Sequence, residues 1–217
     1  MSNAGRNRSV GSQPGSAELI PPYEKSVFIN CPFDPAFEPL FDAIVFSVVA
    51  CDFIPRSALE SRSVADSRIE RIARALLSSR FSIHDLSRCR GEGDESLARF
   101  NMPLELGMAM ALRLTQATTR RDHDWVALVP EGHSYVRFVS DLAGFDLLRH
   151  DNTARSMVRE ILSWLQTLPG ATIIPPIGVF EALPAFQAEK SRLTGEGLGR
   201  ISWANWLLAA ARTVPRL

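Results

Sequence analysis

Short runs of β-branched and aromatic residues alternate along this chain with stretches whose apolar positions recur every three or four residues. That alternation restricts the fold more than any other feature. Residues 25–30 (KSVFIN) read as a buried strand, stopped by the turn chemistry of Pro32 and Asp34. Residues 37–50 place Phe37, Leu40, Phe41, Ile44, Val45 and Val48 at helical steps, the pattern of a helix packed on a sheet. A short strand over 53–57 follows. Residues 67–78 then put Ile69, Ile72, Ala73, Leu76 and Leu77 on one helical stripe, and 80–85 (RFSIHD) alternate as a third strand. Beyond a charged, glycine-bearing loop at 86–100, a helix is expected over 103–115 and a fourth strand over 124–130 (DWVALVP). A fifth strand is expected at 146–149, then a helix at 153–168 capped by Asn152 or Thr153. Strands and helices in this order imply an α/β fold, a doubly wound and mainly parallel five-stranded sheet with right-handed crossovers.

Residues 1–22 are rich in Ser, Gly, Asn, Pro and Arg without apolar periodicity, so they are expected to form a disordered tail. The α/β domain then covers 23–170, and 171–217 form a helical C-terminal extension. In that extension Pro175, Pro176 and Gly178 break the chain before a helical stretch at 179–190, and 201–211 (ISWANWLLAAA) set Trp203, Trp206 and Leu207 at helical spacing. Apolar stripes usually face a core, so the tryptophans read as packing on the domain, against the alternative of a partner-binding helix. Lysine plus arginine equal aspartate plus glutamate at 24 each, which removes the electrostatic footprint of a nucleic-acid or anionic-membrane binder. The longest apolar stretch, 43–50, is too short to span a bilayer, and no apolar segment follows the N-terminal arginines. The three cysteines, Cys31, Cys51 and Cys89, have no paired metal spacing and cannot close into a disulfide framework, which fits a reducing cytoplasm.

In an open parallel sheet, ligands collect beyond the carboxyl ends of the strands where strand order reverses. The first strand brings Asn30, Cys31, Phe33 and Asp34 there, the second Arg56 and then Glu60, the third His84, Asp85, Ser87 and Arg88, and the helix near Asn101 brings Glu105. Asn101 suits a helix cap and Pro103 the first turn, which sets Glu105 in the positive field of the helix terminus and keeps its carboxylate ionised. Such a glutamate serves either as a dipole partner or as a reacting group. Asp85 can hold a base or ribose hydroxyl, or cap the turn after its strand. Arg56 and Arg88 can meet a phosphate, or lie on the solvated surface. Phe33 can stack on a base, or close the core, which is the commoner fate of phenylalanine. His84 alternates to the face opposite Asp85 and reads as structural, and Cys31 as an ordinary buried thiol.

The segment ELGMAMA (105–111) resembles the ELGxAxA element of the nucleoside 2-deoxyribosyltransferase family, in which the glutamate is the catalytic nucleophile. VFINCPFD resembles that family's opening strand and turn, and SIHDLSR its strand ending in aspartate. All three occur in the family's order and span roughly residues 25–130. The architecture, flavodoxin-like in that family, is also similar to bacterial TIR domains, whose active members cleave NAD at the nicotinamide ribose bond. The resemblance implies cleavage or transfer at an N-glycosidic bond of a nucleoside or nucleotide by Glu105, with Asn30, Phe33, Asp34, Arg56, Asp85, Arg88 and Asn101 around the substrate. It implies no resident cofactor or metal, NAD entering only as a substrate, and a homo-oligomer, since related sites are often completed across subunits. A non-catalytic nucleotide-sensing module and a structural interaction protein are the other two classes the sequence leaves open.

Overall fold

In the computed structural model the described residues are 21–60, 65–89, 99–119, 122–195 and 202–215. The expected tail at 1–22 and the central part of the loop at 86–100 therefore fall mostly outside the described residues. Five strands, β1 (Ser26–Asn30), β2 (Ile54–Arg56), β3 (Phe81–Asp85), β4 (Asp124–Pro130) and β5 (Leu148–His150), form one all-parallel sheet in the order β2-β1-β3-β4-β5. β1 and β3, the central pair, are buried along their whole length, as strands covered by helices on both faces must be. Their register sets Val27 beside Phe81 and Asn30 beside His84. The sheet is the doubly wound, flavodoxin-like arrangement anticipated from the alternation of elements. β5 lies later than residues 146–149 because its last residue anchors it: His150 pairs with Pro130, and its carbonyl accepts from Glu131 N at 2.8 Å.

Among the described residues, six α-helices accompany the sheet: α1 (Glu38–Ala50), α2 (Arg68–Leu77), α3 (Asn101–Thr119), α4 (Ala154–Leu165), α5 (Pro176–Thr194) and α6 (Trp203–Thr213). A capping box starts α2, with Ser67 Oγ accepting from Glu70 N and Glu70 Oε2 accepting from Ser67 N at 2.7 Å. α2 and α3 cover one face, where Ile72, Leu76 and Ala109 pack on Phe28. The link from β4 to β5 has two short 3₁₀ turns, Tyr135–Arg137 and Ser140–Leu142, whose Tyr135 and Leu142 join Leu106 and Val129 on that same side.

α1 and α4 cover the other face, and α5 and α6 lie over them. This explains why α1 is apolar on every side: Leu40, Phe41, Ala43, Ile44, Val45, Phe46 and Val48 are all buried, between the sheet and the C-terminal helices. Phe186 of α5 stacks on Phe46 with ring centroids 5.0 Å apart, and Trp206 of α6 meets Phe41 edge-on at 4.7 Å. Trp203 and Trp206 thus pack on the domain. Two polar side chains of α1, Asp42 and Ser47, are buried within this layer. Asp42 of α1 is buried, and burial raises its carboxyl above the usual range against the opposing pull of Lys190. Lys190 Nζ donates to Asp42 Oδ2 at 2.6 Å and to Glu38 Oε1 at 2.9 Å, and sits 5.3 Å from the Trp206 ring.

Removing one partner of a buried pair leaves the other charge uncompensated, while replacing both by apolar groups removes the penalty. Lys190→Met is expected to cost about 3 to 5 kcal/mol in urea unfolding, and Asp42→Leu combined with Lys190→Met to recover most of it.

Candidate functional site

Strand order reverses between β1 and β3, and a single buried side chain joins the elements that meet there. Asn30 Nδ2 donates to Met102 O of α3 at 3.0 Å and to His84 Nδ1 of β3 at 3.0 Å. Because His84 Nδ1 accepts, its proton sits on Nε2, which donates to Ser82 Oγ at 2.9 Å. Ser82 in turn donates to His123 Nε2 at 3.0 Å, and His123 Nδ1 donates to Ser79 O at 3.1 Å. The chain is satisfied in one direction with both imidazoles neutral. Burial, with a smaller effect from His123, pushes His84 down to about 3, and burial lowers His123 as well. His84 is therefore structural, as its place on the strand suggested, but it also holds Asn30 in position.

Asp85 ends β3 with both carboxylate oxygens occupied. Oδ1 accepts from Ser87 N at 2.8 Å and Oδ2 from His150 Nε2 at 3.1 Å, entirely within the protein. Of its two readings, the turn cap is the one observed, and the strand β5 that supplies His150 is what closes it off from a ligand. His150 Nδ1 accepts from Asn152 N at 3.3 Å, so its Nε2 carries the proton given to Asp85.

α3 begins at Asn101, two residues before the expected start, because Met102 is drawn into the core and its carbonyl is held by Asn30. Asn101 is thus the first helical residue and exposed, with the N–H of Leu104 taken by Phe100 O at 3.1 Å. The shift carries Glu105 past the first turn, beyond the strongest part of the helix dipole. Glu105 is only 3 % exposed, and burial pushes its carboxyl up to about 7, partly offset by Arg68. The expected permanently ionised carboxylate is corrected: near neutral pH the protonated and ionised forms coexist. Arg68 Nη2 stands 3.7 Å from Glu105 Oε1, and its guanidinium lies 6.0 Å from the Phe33 ring centroid. Phe33 keeps part of its ring exposed and places the rest edge-on against Phe41, with centroids 5.4 Å apart, so it forms a lip rather than core.

The other candidates are engaged with each other. Arg88 donates to both oxygens of Asp34, at 2.9 and 3.2 Å, and Arg99 approaches the same carboxylate at 3.5 Å. The Arg88 hydrogen bond is the main reason that the Asp34 carboxyl lies below the usual range. Asp34 Oδ1 also accepts from Phe37 N, so the pair ties the loop before α1 to the loop after β3. Arg56 is neither a solvated surface charge nor a free phosphate clamp. It is buried, with Nε donating to both oxygens of Glu60 at 2.8 and 2.9 Å and Nη1 to Ser78 Oγ at 3.3 Å. Cys31 is buried close to Asp85, Glu105 and Asp34; burial first and then those carboxylates hold its thiol far above the usual range and unreactive.

The structure therefore brings Glu105, Arg68, Phe33 and Cys31 together, with the Asp34–Arg88 pair beside them, and directs Asp85 and Arg56 to other tasks. Arg68 was not anticipated from the sequence. Its signal is the capping motif SRIE: the N-terminus of a helix after a parallel strand opens at the same sheet edge as the strand ends. Among the described residues, no group of three or more His, Cys, Asp or Glu side chains is placed to hold a metal ion, and no helix is long and apolar enough to cross a membrane.

Two pH signatures follow. A carboxyl raised from 4.5 to about 7 favours the protonated form in the fold, so its stabilising contribution is full below about 4.5 and lost as pH rises through about 7. Glu105→Gln is thus expected to raise stability at pH 8 by up to about 3 kcal/mol, and far less at pH 5, in thermal unfolding. The depressed His84 acts in the opposite sense. Its contribution is full above 6.5 and declines as pH falls toward about 3, because the unfolded chain takes up a proton that the fold refuses. His84→Gln, which retains an acceptor and a donor, is expected to flatten stability between pH 6 and 4 relative to wild type by roughly 1 kcal/mol per pH unit.

No protein-family model matches the chain, and no curated protein matches it either.

Proposed function

We propose that this protein cleaves or transfers at the N-glycosidic bond of a nucleoside or nucleotide, NAD included, with Glu105 at the anomeric carbon. The observation that carries the reading is a buried carboxyl in the second turn of α3, which burial pushes up to about 7, with Arg68 as its ion-pair partner, at the sheet edge where strand order reverses. The resemblance of ELGMAMA to the deoxyribosyltransferase element supports it. Loss of a base from a ribose develops positive charge at the anomeric carbon. Ionised Glu105 can stabilise that charge or attack the carbon as the C–N bond breaks; a nucleoside base leaves with the bonding pair and takes up a proton from water, whereas nicotinamide leaves NAD with the bonding pair as a neutral base. Water or a second base then resolves the intermediate, giving hydrolysis or transfer. Arg68 holds part of the Glu105 population ionised, and the open face of Phe33 suits stacking with a base.

A second reading, a nucleotide-sensing module without turnover, is favoured by the small accessible surface of Glu105 in this structure. The interaction-protein reading loses its expected contacts, since Trp203 and Trp206 are consumed by packing on Phe41.

A mass-spectrometric screen of nucleosides, nucleotides and NAD separates these readings. Wild type is expected to release a free base, with a rate rising through about pH 7 as Glu105 ionises, and Glu105→Gln to lose at least about a hundredfold in rate. Arg68→Met removes the cation that favours the carboxylate, so the midpoint of the pH profile moves up. Tight calorimetric binding without product would select the sensing module, and undiminished turnover by Glu105→Gln would remove that residue from the mechanism.

A further inference from the structure

We infer that the outer face of α3 is a homodimer seam through which two copies of this chain associate about a two-fold axis near Gly107. Three of the four most exposed large apolar side chains among the described residues lie on or just before this helix: Phe100, immediately ahead of it, at 60 %, Leu104 at 62 % and Leu114 at 81 %. With Gly107 and Ala111, also exposed, they recur at steps of four, three, four and three residues. That spacing keeps them on a narrow stripe about 20 Å long, the repeat of a helix-pairing seam rather than of a solvated face. Charge is sparse among the described side chains of this helix. Between Asn101 and Leu112 its one charged residue is the buried Glu105, and Arg113 beyond is paired with Asp124 at 3.1 Å.

Gly107 needs an explanation from outside its own chain. It occupies the interior of α3, where glycine is the poorest helix former short of proline, yet a Cβ added there would meet nothing within 4 Å. A second helix crossing at that point supplies the reason, because small residues let two backbones approach closely.

A second copy is the occupant that the pattern fits, because the stripe is complementary to itself when reversed. Antiparallel alignment about Gly107 sets Phe100 against a second copy's Leu114 at each end and brings Leu104 near its Ala111 closer to the crossing, so the stripe meets itself large on large at the ends and large on small toward the centre. An isologous two-fold contact requires this self-complementarity. On the neighbouring α2, Ile69 at 44 % and Leu77 at 50 % exposure add apolar surface to the same face of the sheet. Together the five side chains expose about 500 Å² per chain, so two copies bury on the order of 1,000 Å², the lower end of specific interfaces and that of a reversible dimer. The seam carries no assumption about the chemistry of Glu105, although it would place a second copy's helix beside the mouth of that site.

Sedimentation velocity on the full chain over about 1 to 100 μM tests the inference. Wild type is expected to dimerise reversibly in this range. Leu104→Glu combined with Leu114→Glu is expected to weaken association at least about tenfold while leaving the melting temperature at low concentration unchanged. Because Cys31, Cys51 and Cys89 are all buried, Gly107→Cys adds one accessible thiol at the crossing. Mild oxidation is expected to give a covalent dimer from that variant and none from Leu208→Cys on α6, which keeps the inference testable even if the double glutamate variant folds poorly. A chain that stays monomeric at the highest concentration overturns it. So does a dimer that survives both glutamates, or a Gly107→Cys protein that fails to cross-link while the chain dimerises through another face.

Discussion

The buried amide of Asn30 is the interaction on which the arrangement at the sheet's centre depends. One of its protons goes to the first turn of α3 and the other to His84 on the adjacent strand. It therefore joins β1, β3 and α3 at the point where strand order reverses. The imidazole that receives its proton is neutral because Ser82, His123 and the carbonyl of Ser79 complete a chain with one consistent direction of donation. A buried polar network of this kind is favourable only when every member is satisfied. The amide, both histidines and the serine consequently act together, and the position of Glu105 is inherited from where Asn30 holds Met102.

A second constraint comes from outside the sheet. α1 is apolar around its whole circumference and needs cover on the side away from the strands, which α5 and α6 provide. The C-terminal helices are therefore part of the packed core, and Lys190 ties them to the one carboxylate that α1 buries. The cover also reaches the candidate site: Trp203 and Trp206 contact Phe41, Phe41 supports Phe33, and Phe33 lies beside the Arg68 guanidinium.

Around Glu105 the charged groups are sorted by whether they find partners. Asp34 and Arg88 neutralise one another, Arg56 is held by Glu60, and Asp85 is sealed by His150 and a backbone N–H. Glu105 is paired, among the described residues, with Arg68 at 3.7 Å, and burial outweighs that attraction. A carboxyl poised between its two protonation states suits chemistry that alternates between holding and releasing a proton. Even without the chemistry, its charge responds to conditions near pH 7.

By itself, the sequence determined the order of strands and helices, the parallel sheet and the edge on which Asn30, Asp85 and Glu105 gather. These follow from local periodicity and from the handedness of crossovers, both properties of short stretches of chain. The tertiary structure alone decided which polar groups remain available to a ligand. Asp85 reads as a binding residue because its partner His150 lies 65 positions away in the chain, and Arg56 because its pairing with Glu60, though only four residues on, depends on the turn that follows β2. The ionisation of Glu105 is likewise set by tertiary surroundings. Helix-start chemistry is visible within a few residues, whereas the burial that raises its pKa is the sum of what the sheet, α2 and the helix's own first turn place around it, and no local pattern contains that sum.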